Sequence, residues 1–174
     1  MKTMKKFEHK IKAKYYMKIA YETGELLTRH NKTLAIAESC TGGLIANIIT
    51  NIEGSSNYFL FSAITYSNYA KTNILNVKKK TIKRHGAVSL RVAIEMAKKT
   101  KQKAGADFGL STTGIAGLSG GTTKKPVGMV CIGFATDSLC IAKTYKFNFN
   151  NRVKHKMIFS VTALELLYDH LVSL

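Results

Sequence analysis

Leu34-Ala-Ile-Ala-Glu38-Ser39-Cys40-Thr41-Gly42-Gly43-Leu44 decides the fold of this chain. An apolar run leads into Glu-Ser-Cys-Thr-Gly-Gly, and an amphipathic stretch follows. That is the pattern of a buried strand over 33–37, a tight turn and a helix opening. A hydroxyl at such a turn stands at the carboxyl end of a strand, where open α/β sheets bind ligands. It also stands beside the unpaired N–H groups of a helix start, which can hold an oxyanion or a phosphate. Ser39 is therefore a candidate nucleophile. Its plainer reading is a helix N-cap serine, common at strand-to-helix turns. The surroundings are not the G-x-S-x-G elbow of α/β-hydrolases.

Working outward, apolar residues at Tyr16, Ile19, Ala20, Gly24 and Leu27 predict an amphipathic helix over 15–28. Residues 1–14 form a basic extension, either frayed or a helix start. After Gly43, a helix carrying Leu44, Ile45, Ile48 and Ile49 ends near Asn51. The aromatic and β-branched run Tyr58–Tyr66 predicts a strand, followed by a helical turn toward Leu75. Lys78–Arg84 reads as a short basic helix. Ser89 caps a helix over 90–103, with Ala93, Met96 and Ala97 facing the core. Phe108–Thr113 is a third buried strand. Val127–Ala135 and Leu139–Phe147 form an antiparallel pair around Asp137-Ser138, and a last helix runs from Asn150 or Asn151 to Leu171. Alternating strands and helices without repeat or linker predict an α/β fold: a single-domain, three-layer α/β/α sandwich with a mixed sheet, over residues 15–174.

The 174 residues suit one domain, and 45% hydrophobic content argues against wholesale disorder. No apolar run has the length of a membrane span, and the basic start leads into no signal-peptide core, so a cytoplasmic location is expected. The net charge of +17 invites a nucleic-acid reading. The lysines are spread along the chain rather than gathered in one arm, and no zinc-finger, helix-turn-helix or RNP pattern occurs. Drift toward Lys, Asn and Ile, with some attraction for an anionic substrate, accounts for the charge better. Cys40, Cys131 and Cys140 are too few and too scattered for a disulfide framework and match no metal spacing.

A serine needs a base. His30, His85, His155 and His170 lie in polar or basic surroundings and read as solvated; His9 lies in the extension. A lysine can serve if burial keeps its amine neutral. Lys71 is the candidate, with Tyr66 placed to share its proton path. Cys40 ranks below Ser39 because a thiolate needs a nearby base of its own. The loop Gly114-Ile-Ala-Gly117-Leu-Ser-Gly120-Gly121-Thr-Thr-Lys-Lys-Pro126 is long for a simple connection. It follows Thr113, and its four glycines leave backbone amides open to a phosphate or ribose. It is neither a P-loop nor a G-x-G-x-x-G fingerprint.

Five stretches, Ala37-Glu-Ser-Cys-Thr-Gly-Gly43, Tyr66-Ser-Asn-Tyr-Ala-Lys71, His85-Gly-Ala-Val-Ser89, Thr113-Gly-Ile-Ala-Gly117 and Gly120-Gly-Thr-Thr-Lys-Lys-Pro-Val-Gly128, together resemble the CinA C-terminal domain family. The resemblance covers roughly residues 15–170. It implies a compact, usually dimeric α/β/α domain without metal or cofactor. It also implies hydrolysis of nicotinamide mononucleotide to nicotinic acid mononucleotide and ammonia. Carried over by residue, Ser39 is the nucleophile, Lys71 the base, Tyr66 an assistant, and Thr113 a neighbour at its strand end. Gly114, Gly117, Gly120, Gly121, Arg152 and Lys156 would bind the nucleotide. The turn residues Thr41, Gly42 and Gly43, with Cys40, would offer amides to the oxyanion, an interaction worth about 3–4 kcal/mol in other hydrolases.

The chain departs from the family pattern at Leu118, where proline is common, and at Asn150-Asn151-Arg152, where Gly-Asp-Arg is common. Met157-Ile158 stands where some active members have Arg-Gln. Larger members also carry an N-terminal molybdopterin-binding-like domain that these residues do not match. The competing reading is a catalytically weakened member of the family acting as a nucleotide- or nucleic-acid-binding protein, which the charge alone favours.

Overall fold

A computed structural model of the chain describes residues 7–174. The elements are α1 (Ala13–Arg29), β1 (Leu34–Glu38), α2 (Leu44–Thr50), β2 (Phe59–Ile64), α3 (Asn68–Asn73), α4 (Lys79–His85), α5 (Leu90–Ala104), β3 (Phe108–Gly114), β4 (Met129–Ala135), β5 (Cys140–Lys146) and α6 (Arg152–Val172). The sheet order is β2-β1-β3-β4-β5. β1 runs parallel to β2 and β3, and β4 and β5 are antiparallel to their neighbours. The expected single-domain α/β sandwich with a mixed sheet is what the chain forms.

Period-2 alternation in β1 divides the core. Leu34 and Ile36 face α1, α2 and α6, where they join Leu110, Ile132, Phe159, Leu164 and Leu167. Ala37 faces the other way, onto Val92 and Met96 of α5. On that second face the side chains are small for a steric reason. A Cβ on Gly109 would lie 2.0 Å from the Ala97 carbonyl oxygen, and one on Gly133 would lie 2.3 Å from that of Ala93. Neither approach is possible for a real side chain, so these glycines let α5 settle on the sheet.

The expected boundary after residue 14 is not a boundary in packing. α1 begins at Ala13. Before it, Phe7 packs edge-on against Phe147 with ring centroids 5.1 Å apart, and Lys10 pairs with Glu165 at 2.7 Å. Residues 1–6, part of the predicted extension, lie outside the described residues. Tyr58 is not in a strand: it closes the turn after Ser55–Asn57 and is buried. β2 stops at Ile64, short of the predicted Tyr66, because the chain turns there into α3, whose N-cap Ser67 accepts the Ala70 N–H at 3.0 Å. Among the described residues no helix is long and apolar enough to cross a membrane.

The connection leaving β1 runs to β2 on one side, while β3 flanks β1 on the other. A crevice therefore opens at the carboxyl ends of β1 and β3, where the strand order reverses. Ser39 follows β1, and Thr113 and Gly114 close β3.

Candidate active site

Ser39 is fixed by the sheet it leaves. Its N–H donates to the Thr112 carbonyl at 3.0 Å, continuing the β1–β3 ladder by one bond. Thr65 N–H likewise donates to the Glu38 carbonyl at 2.7 Å, which brings the start of α3 against the same strand end. From α3, Lys71 points inward and is only 1% exposed. Its Nζ lies 2.9 Å from Ser39 Oγ and 2.7 Å from the Thr65 carbonyl oxygen. No carboxylate among the described residues forms an ion pair with it. Burial disfavours the ammonium and pulls its pKa down from 10.5 to about 8. A neutral amine that donates one N–H to Thr65 keeps its lone pair for the Ser39 hydroxyl proton. The pairing of serine and lysine expected from the sequence is thus present as a contact.

The turn after Ser39 differs from expectation. Glu38 is fully buried, and its carboxylate accepts the N–H groups of Gly43 at 2.9 Å, Ile45 at 3.2 Å and Ala46 at 2.8 Å. The chain thereby supplies its own anion to the start of α2. Gly42 N–H donates to the Ser39 carbonyl at 3.2 Å. Gly42 and Gly43 therefore have no amide left for an oxyanion. The N–H groups of Cys40 and Thr41 have no acceptor among the described residues. Thr41 is otherwise structural, its hydroxyl bonded to that of Thr112 at 2.8 Å.

A cavity of about 310 Å³ opens over Ser39 and Lys71. Tyr66, Thr113, Gly114, Gly117, Gly120 and Arg152, all singled out in the sequence, line it. Gly42, Gly43, Thr41, Gly121 and Lys156 do not. A Cβ on Gly42 would sit 3.4 Å from Lys156 Nζ, which places that amine behind the Ser39 turn. Asn68, Val88 and Ser119 line the cavity without having been singled out. The Tyr66 hydroxyl accepts from Arg152 Nη2 at 2.9 Å, and no hydrogen bond joins it to Lys71. Tyr66 thus stands at the cavity mouth, against Arg152. Thr113 donates to the Ala87 carbonyl at 2.9 Å and ties the 85–89 loop to the strand end.

Burial raises the Cys40 thiol to about 12, so it is no thiolate. None of the five histidines lines the cavity. His155, read from the sequence as solvated, is instead buried. It lies on the inward face of α6 with Ile158, Phe159 and Thr162, a 3–4 spacing that its flanking lysines obscure. Among the described residues no group of His, Cys, Asp or Glu side chains stands together as a metal site.

Residues 17–171 match the CinA C-terminal domain. A CinA-like protein of Desulforapulum autotrophicum is 52% identical over 143 residues, which is 82% of this chain and 34% of that protein. A CinA-like protein of Chloroherpeton thalassium is 50% identical over 157 residues, or 88% of this chain and 37% of that protein. The chain thus spans little more than a third of the length of these relatives. The crystal structure of the competence/damage inducible protein CihA from Agrobacterium tumefaciens superposes with a TM-score of 0.86 at 34% identity, covering 90% of this chain and 95% of that one.

Proposed function

Because the chain belongs to the CinA C-terminal domain family, we propose that it is an amidohydrolase that deamidates nicotinamide mononucleotide, with Ser39 as nucleophile and Lys71 as base. The observation that carries this reading is the 2.9 Å contact between Lys71 Nζ and Ser39 Oγ, made by an amine with no carboxylate partner among the described residues. The nucleotide itself is inferred from the resemblance of the five motifs.

The chemistry follows from the positions. Neutral Lys71 takes the hydroxyl proton as Ser39 Oγ attacks the carboxamide carbon. The carbonyl oxygen becomes an oxyanion, and the free amides of Cys40 and Thr41 are the donors nearest the nucleophile in the chain. Lys71 returns the proton to the departing nitrogen, so ammonia leaves and an acyl-Ser39 ester remains. A water molecule then gives a proton to Lys71 and attacks that ester; Lys71 passes the proton to the departing Ser39 Oγ, which restores the serine, and the released acid loses its own proton to solvent. Arg152 lines the cavity, and in this reading its guanidinium meets the single phosphate.

The departures from the family pattern bear on this reading. Ile158 is wholly buried and Met157 packs on the core, so neither position faces the cavity. Leu118 is 60% exposed beside the lining residue Gly117.

Incubating the purified protein with nicotinamide mononucleotide and measuring ammonia tests the proposal. Wild type releases ammonia; Ser39→Ala and Lys71→Met, both folded by circular dichroism, lose at least about a thousandfold in rate. A folded wild type that releases none at any substrate concentration sinks it. Nucleic-acid binding with a steep salt dependence and no amidase activity favours the charge-based reading instead.

A further inference from the structure

The geometry points to His155 as a positioning residue that fixes the width of the cavity mouth, through an Nδ1–H bond that holds the Ala116 carbonyl against the start of α6. Its imidazole is 1% exposed and stacks on Phe159, with ring centroids 5.7 Å apart and planes 17° from parallel. Nε2 faces both the Phe149 N–H at 3.1 Å and the Phe147 carbonyl oxygen at 3.3 Å. A hydrogen on Nε2 would serve Phe147 alone and oppose the Phe149 N–H, whereas an unprotonated Nε2 accepts from Phe149 and leaves the ring hydrogen for the Ala116 carbonyl. The single ring proton is therefore on Nδ1, which lies 3.2 Å from the Ala116 carbonyl oxygen and donates to it. The ring is a strut with a different backbone segment at each nitrogen.

Those segments are the ones that carry the mouth. Ala116 and Gly117 belong to the cavity wall. Phe149 leads through the N-cap Asn151 into Arg152, one turn before His155 on the same helix. A Cβ on Gly117 would lie 3.4 Å from Arg152 Nη1, and Arg152 also donates to Tyr66. The mouth thus consists of Gly117, Arg152 and Tyr66, and His155 joins its two backbone supports from behind. Room for the ring is reserved by Gly128. At φ +81°, a Cβ there would lie 2.9 Å from His155 Nε2 and 1.8 Å from the Phe147 carbonyl oxygen. Nothing in this arrangement reaches Ser39 Oγ, so the strut acts on substrate affinity and not on the chemical step.

The kinetic arm rests on the amidohydrolase reading. Asparagine can present a donor near the Nδ1 position, while glutamine reaches only the Nε2 position. His155→Asn therefore keeps the Ala116 bond, and His155→Gln keeps only the Phe149 bond. With nicotinamide mononucleotide, His155→Gln raises KM about tenfold, the loss of one hydrogen bond, with kcat within about threefold of wild type. His155→Asn leaves KM within about threefold, although both variants lower the melting temperature. KM unchanged in both, or raised equally in both, overturns the inference. A second arm needs no activity. In ¹H–¹⁵N spectra the neutral ring carries its hydrogen on Nδ1, and His155→Gln shifts the Gly117 and Arg152 amides more than His155→Asn does. A hydrogen on Nε2, or equal shifts in the two variants, overturns the inference even if the wild type proves inactive on this nucleotide.

Discussion

The Glu38 carboxylate accepts the Gly43 N–H at 2.9 Å, facing away from the adjacent Ser39 and into the first turn of α2. A buried carboxylate is tolerated here because its two oxygens receive three backbone donors. The same bonds fix the turn that follows Ser39, so the free Cys40 and Thr41 amides depend on Glu38 for their direction. Glu38→Gln keeps one accepting oxygen but sets its NH₂ against the Ala46 N–H. The expected result is a loss of about 1–3 kcal/mol of stability, the cost of one unsatisfied buried donor, and a fall in kcat larger than any rise in KM. Urea unfolding together with steady-state kinetics checks both. Wild-type stability and kcat in the variant contradict the assignment.

A pH profile tests the state of Lys71. Attack requires the free amine, so kcat/KM rises about tenfold per pH unit below about 8 and levels off above it. The sign for stability follows from the same shift. Between about 8 and 10.5 the unfolded lysine holds a proton that the folded one lacks, so the unfolded state binds more protons and stability rises with pH across that window. Below about 8 both states are protonated and the burial cost of the ammonium is paid in full. Lys71→Met removes this slope in urea unfolding. A wild-type rate that does not change between pH 6.5 and 9 contradicts a lysine base.

Cys40 adjoins the nucleophile yet is chemically silent in this reading. Its thiol is buried and held up to about 12, whereas Cys140 is exposed on the edge strand β5. Iodoacetamide at pH 7.5 is therefore expected to label Cys140 and leave Cys40 unmodified, with activity retained. Cys40→Ser keeps the backbone amide and stays within about threefold of wild-type kcat, because only the side chain changes. Peptide mass mapping after alkylation, alongside the assay, decides the point.

The reach of the sequence differs from residue to residue. Ser39 was readable because a buried strand entering a glycine turn leaves few places for a hydroxyl to stand. Lys71 was readable only as a lysine that follows a strand end and belongs to a motif, since burial is invisible in composition. Glu38 was missed because its three donors come five to eight residues later, beyond the reach of a capping-box pattern. His155 was missed because Lys154 and Lys156 flank it and mask the inward stripe it shares with Ile158, Phe159 and Thr162. Of the residues expected at the substrate, Thr41, Gly42, Gly43, Gly121 and Lys156 do not line the cavity. Proximity in sequence to Ser39, to the glycine loop or to Arg152 does not fix which side of a turn faces it.

Tyr66 and Arg152 offer the sharpest separation of binding from chemistry. The Tyr66 hydroxyl accepts from Arg152 at 2.9 Å on an exposed rim, while Lys71 has Ser39 Oγ and the Thr65 carbonyl as its partners. If Tyr66 acted on the proton, Tyr66→Phe would lower kcat. The geometry predicts otherwise: Tyr66→Phe leaves kcat within about twofold and raises KM about threefold, as the guanidinium loses one acceptor. Arg152→Ala raises KM more, about thirtyfold, because the phosphate loses a charge-assisted donor. Since the tyrosine works through the arginine, the double variant should be no worse than Arg152→Ala alone, and a double-mutant cycle measures that coupling. Additive effects of the two substitutions, or a kcat loss in Tyr66→Phe, would place the phenol back beside the base.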